Sequence, residues 1–490
     1  MTPTPYRGPS AAAELTRRMT RPQRHRLLHG FPLAAGMPSA DHIDPTHELH
    51  FDPSRKRELI VGVLPHPFCN PAVSGCGFCT FPHEPGNAAK TTPVVKAVVK
   101  EIFDIGFRQM YALLSRPVAA IYFGGGTANL CEPEPFGELA HLLGTGFDCK
   151  QAEVTLEGVP AYFLRGKPRL MEVLQFKFPA RQYRISFGLQ TFDEARLKAM
   201  GRAAFGTADT FREVVEYGHS LGYAVSADLL FNLPGQTRDE MLTDVKKAID
   251  LGLDHLGLYH LVMFPGLGTP WSEDRDLLQE LPDNPRACDN WLSLREYLLA
   301  NGWEQTSLTN FEPKRRYRTP ERFVYEEFSF SPDRYEAIGF GPSASSYAAT
   351  GDFQGAVKTL NPTTADAYVK RVEAGQRVWD RAFVYQQEDQ RVFWLVRRLA
   401  ALGIHRESYR RLFANDVTAD FPDVIAACAD AKLLQVSDEW VLPSPTGMFY
   451  SDSIAALFAR HRATVQAGGR VLPAELEWGR KKLDNALGHM

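Results

Sequence analysis

Short apolar runs rich in β-branched and aromatic residues alternate along the chain with longer stretches whose apolar positions fall three and four apart. ELIVGVLPH (from residue 58), AAIYFGGG, EVTLEGV, YRISFGLQ, AVSADLLFNLP and HLGLYHLVMFP each end in Gly, Pro or polar residues and predict six strands. Between them, VVKAVVKEIFDIGFRQMYALL and DEMLTDVKKAIDLG carry the helical period. Six strand–helix units in succession predict an α/β fold: a parallel sheet closed or partly closed as a (β/α)6 barrel over residues 58–355. No short repeat interrupts the pattern, which excludes a solenoid.

The pattern differs on both sides of that region. Residues 1–57 are Pro-rich and predict an irregular segment wrapped on the barrel. In residues 356–490, RVFWLVRRLAALG, RESYRRLF and VIAACADAKLL predict helices. LLQVSDEWVLPSPTG then predicts a two-stranded wing and SDSIAALFARHR a last helix. This predicts a small helical, winged domain that covers or packs on the barrel.

In a barrel of this kind the active site is built at the carboxyl ends of the strands. The unusual residues fall there: three cysteines after the first predicted strand, GGGT after the second, Glu157, Gln190 and Asp228 at the ends of the next three. That placement predicts an enzyme acting on a small molecule.

Composition narrows the setting. The 490 residues are 44% hydrophobic and 23% charged with net charge −3, ordinary for a soluble chain. No apolar run approaches the ~20 residues of a membrane span and the N-terminus has no hydrophobic signal core, so a cytoplasmic protein without a membrane partner is expected. The slightly acidic balance gives no reason to expect nucleic-acid binding. The basic tract RRMTRPQRHR (17–26) reads as a solvated arm or helix face.

Cys69, Cys76 and Cys79 gather three of the seven cysteines into eleven positions. An odd number of cysteines in a long chain argues against a disulfide framework. A structural zinc site would need a fourth ligand, for which His66 and His83 are candidates. A redox pair of Cys76 and Cys79 would leave Cys69 without a role. A [4Fe–4S] cluster held by three thiolates leaves one iron open to a small molecule. Cys131, Cys149, Cys288 and Cys428 have no metal-like spacing and read as buried apolar residues.

At these cysteines the chain resembles the radical SAM superfamily. There, three cysteines hold the cluster and S-adenosylmethionine (SAM) chelates the open iron. The usual spacing is C-x3-C-x2-C; here it is C-x6-C-x2-C, and Phe78 fits the aromatic found before the last cysteine. YFGGGTANL (122–130) resembles the glycine-rich segment that lines the SAM methionine, with Gly124, Gly125, Gly126 and Thr127. LEGVP with Glu157, FGLQTFDEARLKAMGR with Gln190 and Arg202, ADLLFNLPGQT with Asp228, HLGLYHLVMFPGLGTP and EAIGFGPSASSY follow in order. Together they resemble the oxygen-independent coproporphyrinogen III oxidase family over about 58–350, and the C-terminal region resembles that family's helical cap.

The resemblance implies that Glu157, Gln190, Arg202 and Asp228 contact SAM. A carboxylate suits the ribose diol, and Arg202 suits the SAM carboxylate. It implies a neighbouring site for a second SAM or a substrate at IGFGPSASSY, with Gly341, Ser343 and Ala344. Tyr259 and His260 point to the same mouth as candidates for proton transfer. The bland readings are helix N-caps for Glu157 and Asp228, a surface position for Arg202 and a core position for His260.

The Arg-Tyr-Thr-Ser-Tyr-Pro segment of true coproporphyrinogen oxidases is absent, RLLHGFP (26–32) being the nearest stretch. The expected reaction is therefore radical C-methylation, cyclopropanation or related carbon–carbon bond formation on a natural product or tetrapyrrole, with the second SAM as one-carbon donor. Oxidative decarboxylation of coproporphyrinogen and non-catalytic carriage of haem or a cluster are the alternatives. A reducing partner such as flavodoxin or ferredoxin and a monomeric state complete the expectations.

Overall fold

All six predicted strands form. They are β1 (Glu58–Val63), β2 (Val118–Phe123), β3 (Glu153–Gly158), β4 (Gln182–Gln190), β5 (Ala224–Phe231) and β6 (His255–His260). In the computed structural model, residues 8–23, 31–32, 37–42, 49, 51, 57–69, 76–114, 116–350, 353–375 and 377–466 are described. Helices Ala88–Leu114, Pro133–Gly146, Leu170–Lys177, Ala208–Ser220 and Arg238–Asp250 connect the strands, so β1 to β6 pair in parallel in chain order.

Sequence patterning did not predict how far the sheet extends. β7 (Trp303–Gln305) and β8 (Asn310–Pro313) add antiparallel strands beyond β6, while β9 (Tyr335–Phe340) returns to pair in parallel with β1. β10 (Ser345–Thr350), β11 (Gly355–Leu360) and β12 (Arg381–Tyr385) continue antiparallel from β9. The twelve strands run β12-β11-β10-β9-β1-β2-β3-β4-β5-β6-β8-β7, an open sheet rather than a closed barrel. The sheet thus runs on past residue 355.

Alternation along the strands separates two faces. Val61, Val63, Ile121, Phe123, Val154, Leu156, Ile185 and Phe187 are fully buried and belong to the apolar core. The helix Pro133–Gly146 meets this outer face through Phe136, whose ring lies 5.3 Å from Phe123. The inner face carries Tyr122, Glu157, Arg184, Asp228 and Tyr259. The segment 323–329 fills it from the amino ends: Phe323 stacks against the Arg184 guanidinium 3.5 Å from its ring centroid, and Tyr325 meets Tyr122.

The last region is helical with a small sheet of β13 (Ile404–His405), β14 (Leu434–Val436) and β15 (Trp440–Pro443), followed by the helix Ser451–Gln466. β14 and β15 form the predicted wing. Residues 11–19, expected to be irregular, instead form a helix started by the Ser10 hydroxyl, which accepts from the Ala13 N–H. Its buried Glu14 pairs with Arg18 at 2.8 Å, so Arg18 lies inside the molecule and not on a solvated face. This helix packs on helices Pro422–Asp430 and Ser451–Gln466, and the Ser453 hydroxyl donates to Gln23. RLLHGFP and the end of the basic tract lie mostly outside the described residues. Among the described residues no helix is long and apolar enough to cross a membrane.

Candidate cofactor site at the carboxyl ends of the strands

The chain leaves β1 through Leu64 to Cys69 and is pinned there from two sides. The Cys69 N–H donates to Glu84 O and the Glu84 N–H to Pro67 O, while the Thr127 N–H donates to Phe68 O. Residues 70–75, the whole of the six-residue spacing between Cys69 and Cys76, lie outside the described residues. Cys76 and Cys79 close a tight turn in which the Cys79 N–H donates to Cys76 O. Gly77 in that turn donates to Met200 O and accepts from the Trp271 N–H. A Cβ on Gly77 would fall 2.3 Å from the Trp271 indole, so only glycine fits between the two cysteines.

The three thiols are near enough to raise one another. Burial pushes Cys69 up to about 12, with the Cys79 and Cys76 sulfurs adding to it and a hydrogen bond from Thr127 opposing. Burial raises Cys76 as well, and the Arg202 guanidinium opposes. Among the described residues no three Cys, His, Asp or Glu side chains converge on a single-ion site. His66 is buried, with Nδ1 accepting from the Phe68 N–H and Nε2 without a hydrogen-bond partner, and His83 is hydrogen-bonded to Phe81 O through Nδ1. The three thiols lie near enough to act on one another electrostatically, as ligands of one cluster would.

Arg202 is buried, not exposed. One terminal nitrogen lies 3.2 Å from Cys76 Sγ, the other donates to Gly188 O at 2.6 Å, and the guanidinium covers the Phe205 ring at 4.4 Å. Its Nε is buried with no partner, an orphan donor beside the thiols. The shift of register between Gly188 and Gln190 and the left-handed φ of 70° at Gln190 carry the Gln190 side chain back over Gly188. Gly188 has no Cβ to collide with Gln190 Nε2 at 2.2 Å or with Arg202 at 2.9 Å. A bulge, a glycine and an arginine thus join the end of β4 to the cysteine loop.

The glycine turn lies against the end of β1. Gly125 and Gly126 have φ of 76° and 51°; a Cβ on Gly126 would come 2.7 Å from Phe68 O, and one on Gly124 2.8 Å from Glu157 Oε2. Glu157 and Asp228 cap no helix but stand on the inner face. Asp228 is flanked in register by Gly188 and Gly257, and a Cβ on Gly257 would meet its Oδ1 at 2.5 Å. Burial pushes Asp228 up to about 8, with the Glu157 charge adding to it and Arg184 opposing. Glu157 is raised by burial and held down in part by a hydrogen bond from Tyr122. Tyr259 shares this face. His260, one residue on, points to the other side between Phe231 and Phe449 and takes no part in the mouth.

Beside the cysteine loop, Gly341 (φ 101°) would place a Cβ 2.0 Å from Leu64 O. Ser343 adopts φ 64° and its hydroxyl is buried with no partner; Ala344 is buried. This turn is held from behind by Glu101, which accepts from the Gly341 N–H (2.8 Å), the Asn361 amide (2.9 Å) and the Tyr368 hydroxyl (2.6 Å). Glu101 was not picked out from the sequence, although its spacing to the buried Val94 and Val98 places a carboxylate on the apolar stripe of its helix. Gly77 was missed too, for want of any local signal.

The fold and this rim define the class: an open α/β barrel whose carboxyl edge gathers three thiols, a glycine turn and buried carboxyl groups. No family model matches the chain. It is 24% identical over 370 residues to the heme chaperone HemW of Lactococcus lactis subsp. lactis, covering 75% of this chain and 89% of that one. Against HemW of Bacillus subtilis the identity is 23% over 403 residues, 80% and 97%. The anaerobilin synthase of Escherichia coli O157:H7 is 32% identical over 213 residues, but this covers only 42% of the chain and 43% of the relative. Among solved structures, coproporphyrinogen III oxidase (HemN) from Escherichia coli, described as a radical SAM enzyme, superposes with a TM-score of 0.67 at 16% identity over 86% of this chain and 96% of that one. The chain is thus similar in sequence to the HemW heme chaperones over most of their length and shares the fold of the radical SAM enzyme HemN.

Proposed function

We propose that the chain is a radical SAM enzyme that holds a [4Fe–4S] cluster through Cys69, Cys76 and Cys79, binds SAM across the ends of β2 to β5, and acts on a tetrapyrrole. The observation that supports it best is the convergence on one rim of three thiols, the orphan Arg202 Nε and the inner-face pair Glu157 and Asp228. A cluster held by Cys69, Cys76 and Cys79, given an electron by a donor of the flavodoxin or ferredoxin type, would supply the reductive cleavage of SAM.

The chain's own residues do the rest. Arg202, already beside Cys76, neutralises charge at the cysteine loop and offers Nε to an incoming carboxylate. Gln190 and the glycine turn present amide groups, and Glu157 accepts from a diol. Asp228, protonated near neutral pH, serves as a hydrogen-bond donor. The packed inner face and the segment 323–329 keep water from the site.

The substrate class draws on two relatives whose names refer to tetrapyrroles, haem and coproporphyrinogen. For the reaction, we read transfer of a carbon unit from a second SAM, seated at Gly341, Ser343 and Ala344. The unpartnered Ser343 hydroxyl supports a ligand there. A second reading, haem carriage without turnover, is favoured by the heme chaperones that match over 89% and 97% of their length.

The test is anaerobic incubation of the reconstituted protein with reductant, tetrapyrrole and methyl-labelled SAM. We expect 5′-deoxyadenosine and labelled product. Carbon dioxide without label in the product replaces carbon transfer by decarboxylation, and no 5′-deoxyadenosine from fully loaded protein replaces catalysis by carriage.

A further inference from the structure

At the amino ends of the strands, the end of the barrel opposite the cysteines, the chain carries a run of positive charge. KRRYRTPER (314–322) holds five cations and one carboxylate in a chain whose net charge is −3. The turn it forms is hung on the barrel at several points. Arg316 pairs with Asp254 at 3.6 Å, Arg181 Nη1 donates to Pro320 O at 2.8 Å and the Gln182 amide to Glu321 O at 2.9 Å. Just beyond, the Phe323 N–H donates to Glu312 and the Val324 N–H to Glu153. These bonds fix the outer side of the segment whose Phe323 and Tyr325 fill the inner face.

That outer side borders a cleft of about 750 Å³, whose lining includes Arg181, Tyr317, Arg318, Arg322 and Glu327. The volume is that of a small-molecule site. The one carboxylate in the lining, Glu327, is already taken by Arg322 at 2.8 Å and approached by Arg334 at 4.0 Å. Arg181 and Arg318 have no carboxylate partner among the described residues. They come from separate segments, the start of β4 and the basic turn, and the fold brings both to one cleft. The bond to Pro320 O holds Arg181 in place and leaves its other N–H groups to a ligand. Guanidinium groups so placed match pairs of phosphate oxygens. Tyr317, 39% exposed at the same cleft, offers a ring face to a planar group. We propose that this cleft binds a small phosphorylated molecule, with its phosphates on Arg181 and Arg318. The site is separate from the cofactor site, and its test is independent of the proposed function.

Inorganic pyrophosphate and ATP serve as probes in anaerobic calorimetric titrations of the full cluster-loaded chain at low salt, with SAM present throughout. We expect at least one of them to bind saturably at one molecule per chain. Arg318→Gln and Arg181→Gln should each weaken that binding at least about tenfold. Arg212→Gln, which removes an exposed cation from the helix Ala208–Ser220, should leave it unchanged. Tyr317→Ala separates the sources of phosphate: a loss for ATP alone points to a nucleotide-like ligand, and no loss assigns recognition to the phosphates themselves. Absence of saturable binding of both probes to the wild type overturns the proposal. So does full affinity in Arg318→Gln, or a loss in Arg212→Gln as large as in Arg318→Gln, which marks general attraction of anions. Thermal midpoints control for folding; where Arg181→Gln loosens the turn through Pro320, the exposed Arg318 decides.

Discussion

Arg202 shows how a single side chain changes meaning between sequence and structure. In the sequence it reads as a SAM contact by resemblance, with a surface position as the bland alternative. In the fold it is buried against Cys76 Sγ and Gly188 O with one donor left over. Replacing it by Ala is expected to weaken SAM binding by about 1.5–3 kcal/mol, the cost of a charged hydrogen bond, as read by equilibrium dialysis; unchanged affinity would remove it from the site. Each of Cys69→Ala, Cys76→Ala and Cys79→Ala should abolish or destabilise the visible absorbance of the reconstituted cluster, because three thiolates are the fewest that hold it. A stable, fully loaded cluster in the Cys69→Ala protein would reassign the ligands. Gly77→Ala tests the turn itself. With the indole of Trp271 2.3 Å from the new Cβ, a loss of about 1–3 kcal/mol is expected in urea unfolding, together with reduced iron loading.

Among the elements, Glu101 does the most from the least visible position. It lies on the helix Ala88–Leu114, outside the barrel, yet its carboxylate holds the Gly341 turn, Asn361 and Tyr368 together. Glu101→Leu leaves two amide donors and a hydroxyl buried without an acceptor and should cost about 3 kcal/mol or more. Glu101→Gln keeps one acceptor and should cost less; equal stability of both variants and wild type in denaturant titration would show the turn is held by packing alone. The bulge at the end of β4 works similarly: with regular register, Gln190 would not turn back over Gly188 towards Arg202.

For the whole molecule, the buried carboxyl groups predict the direction of the pH dependence. Burial raises Glu101, Glu312 and Glu326 to about 7 and Asp228 to about 8. These carboxyls keep protons in the folded chain that the unfolded chain has already lost, so their contribution to stability disappears as pH rises through the folded values. The buried His66, lowered from 6.5 to about 4, acts in the opposite direction but only below about 6.5. Between about pH 6.5 and 7.5 the carboxyl groups therefore set the sign, and the cofactor-free protein should unfold at lower urea concentration as pH rises. A midpoint that rises over that window, or a slope unchanged in Asp228→Asn, would contradict the protonated inner face.

What the sequence determined on its own was whatever local periodicity and composition encode. The order of six strands and their helices, the position of the cysteine loop after β1, the glycine turn after β2 and the wing near the C-terminus are all legible because each depends on residues a few positions apart. Tertiary structure alone decided what depends on distant pairing. β9 to β12 extend the sheet on the far side of β1, and Tyr259 and His260 part to opposite faces. Glu101 reaches a turn 240 residues away. Burial and partners are properties of the assembled sheet, and no stretch of chain carries them until its neighbours are in place.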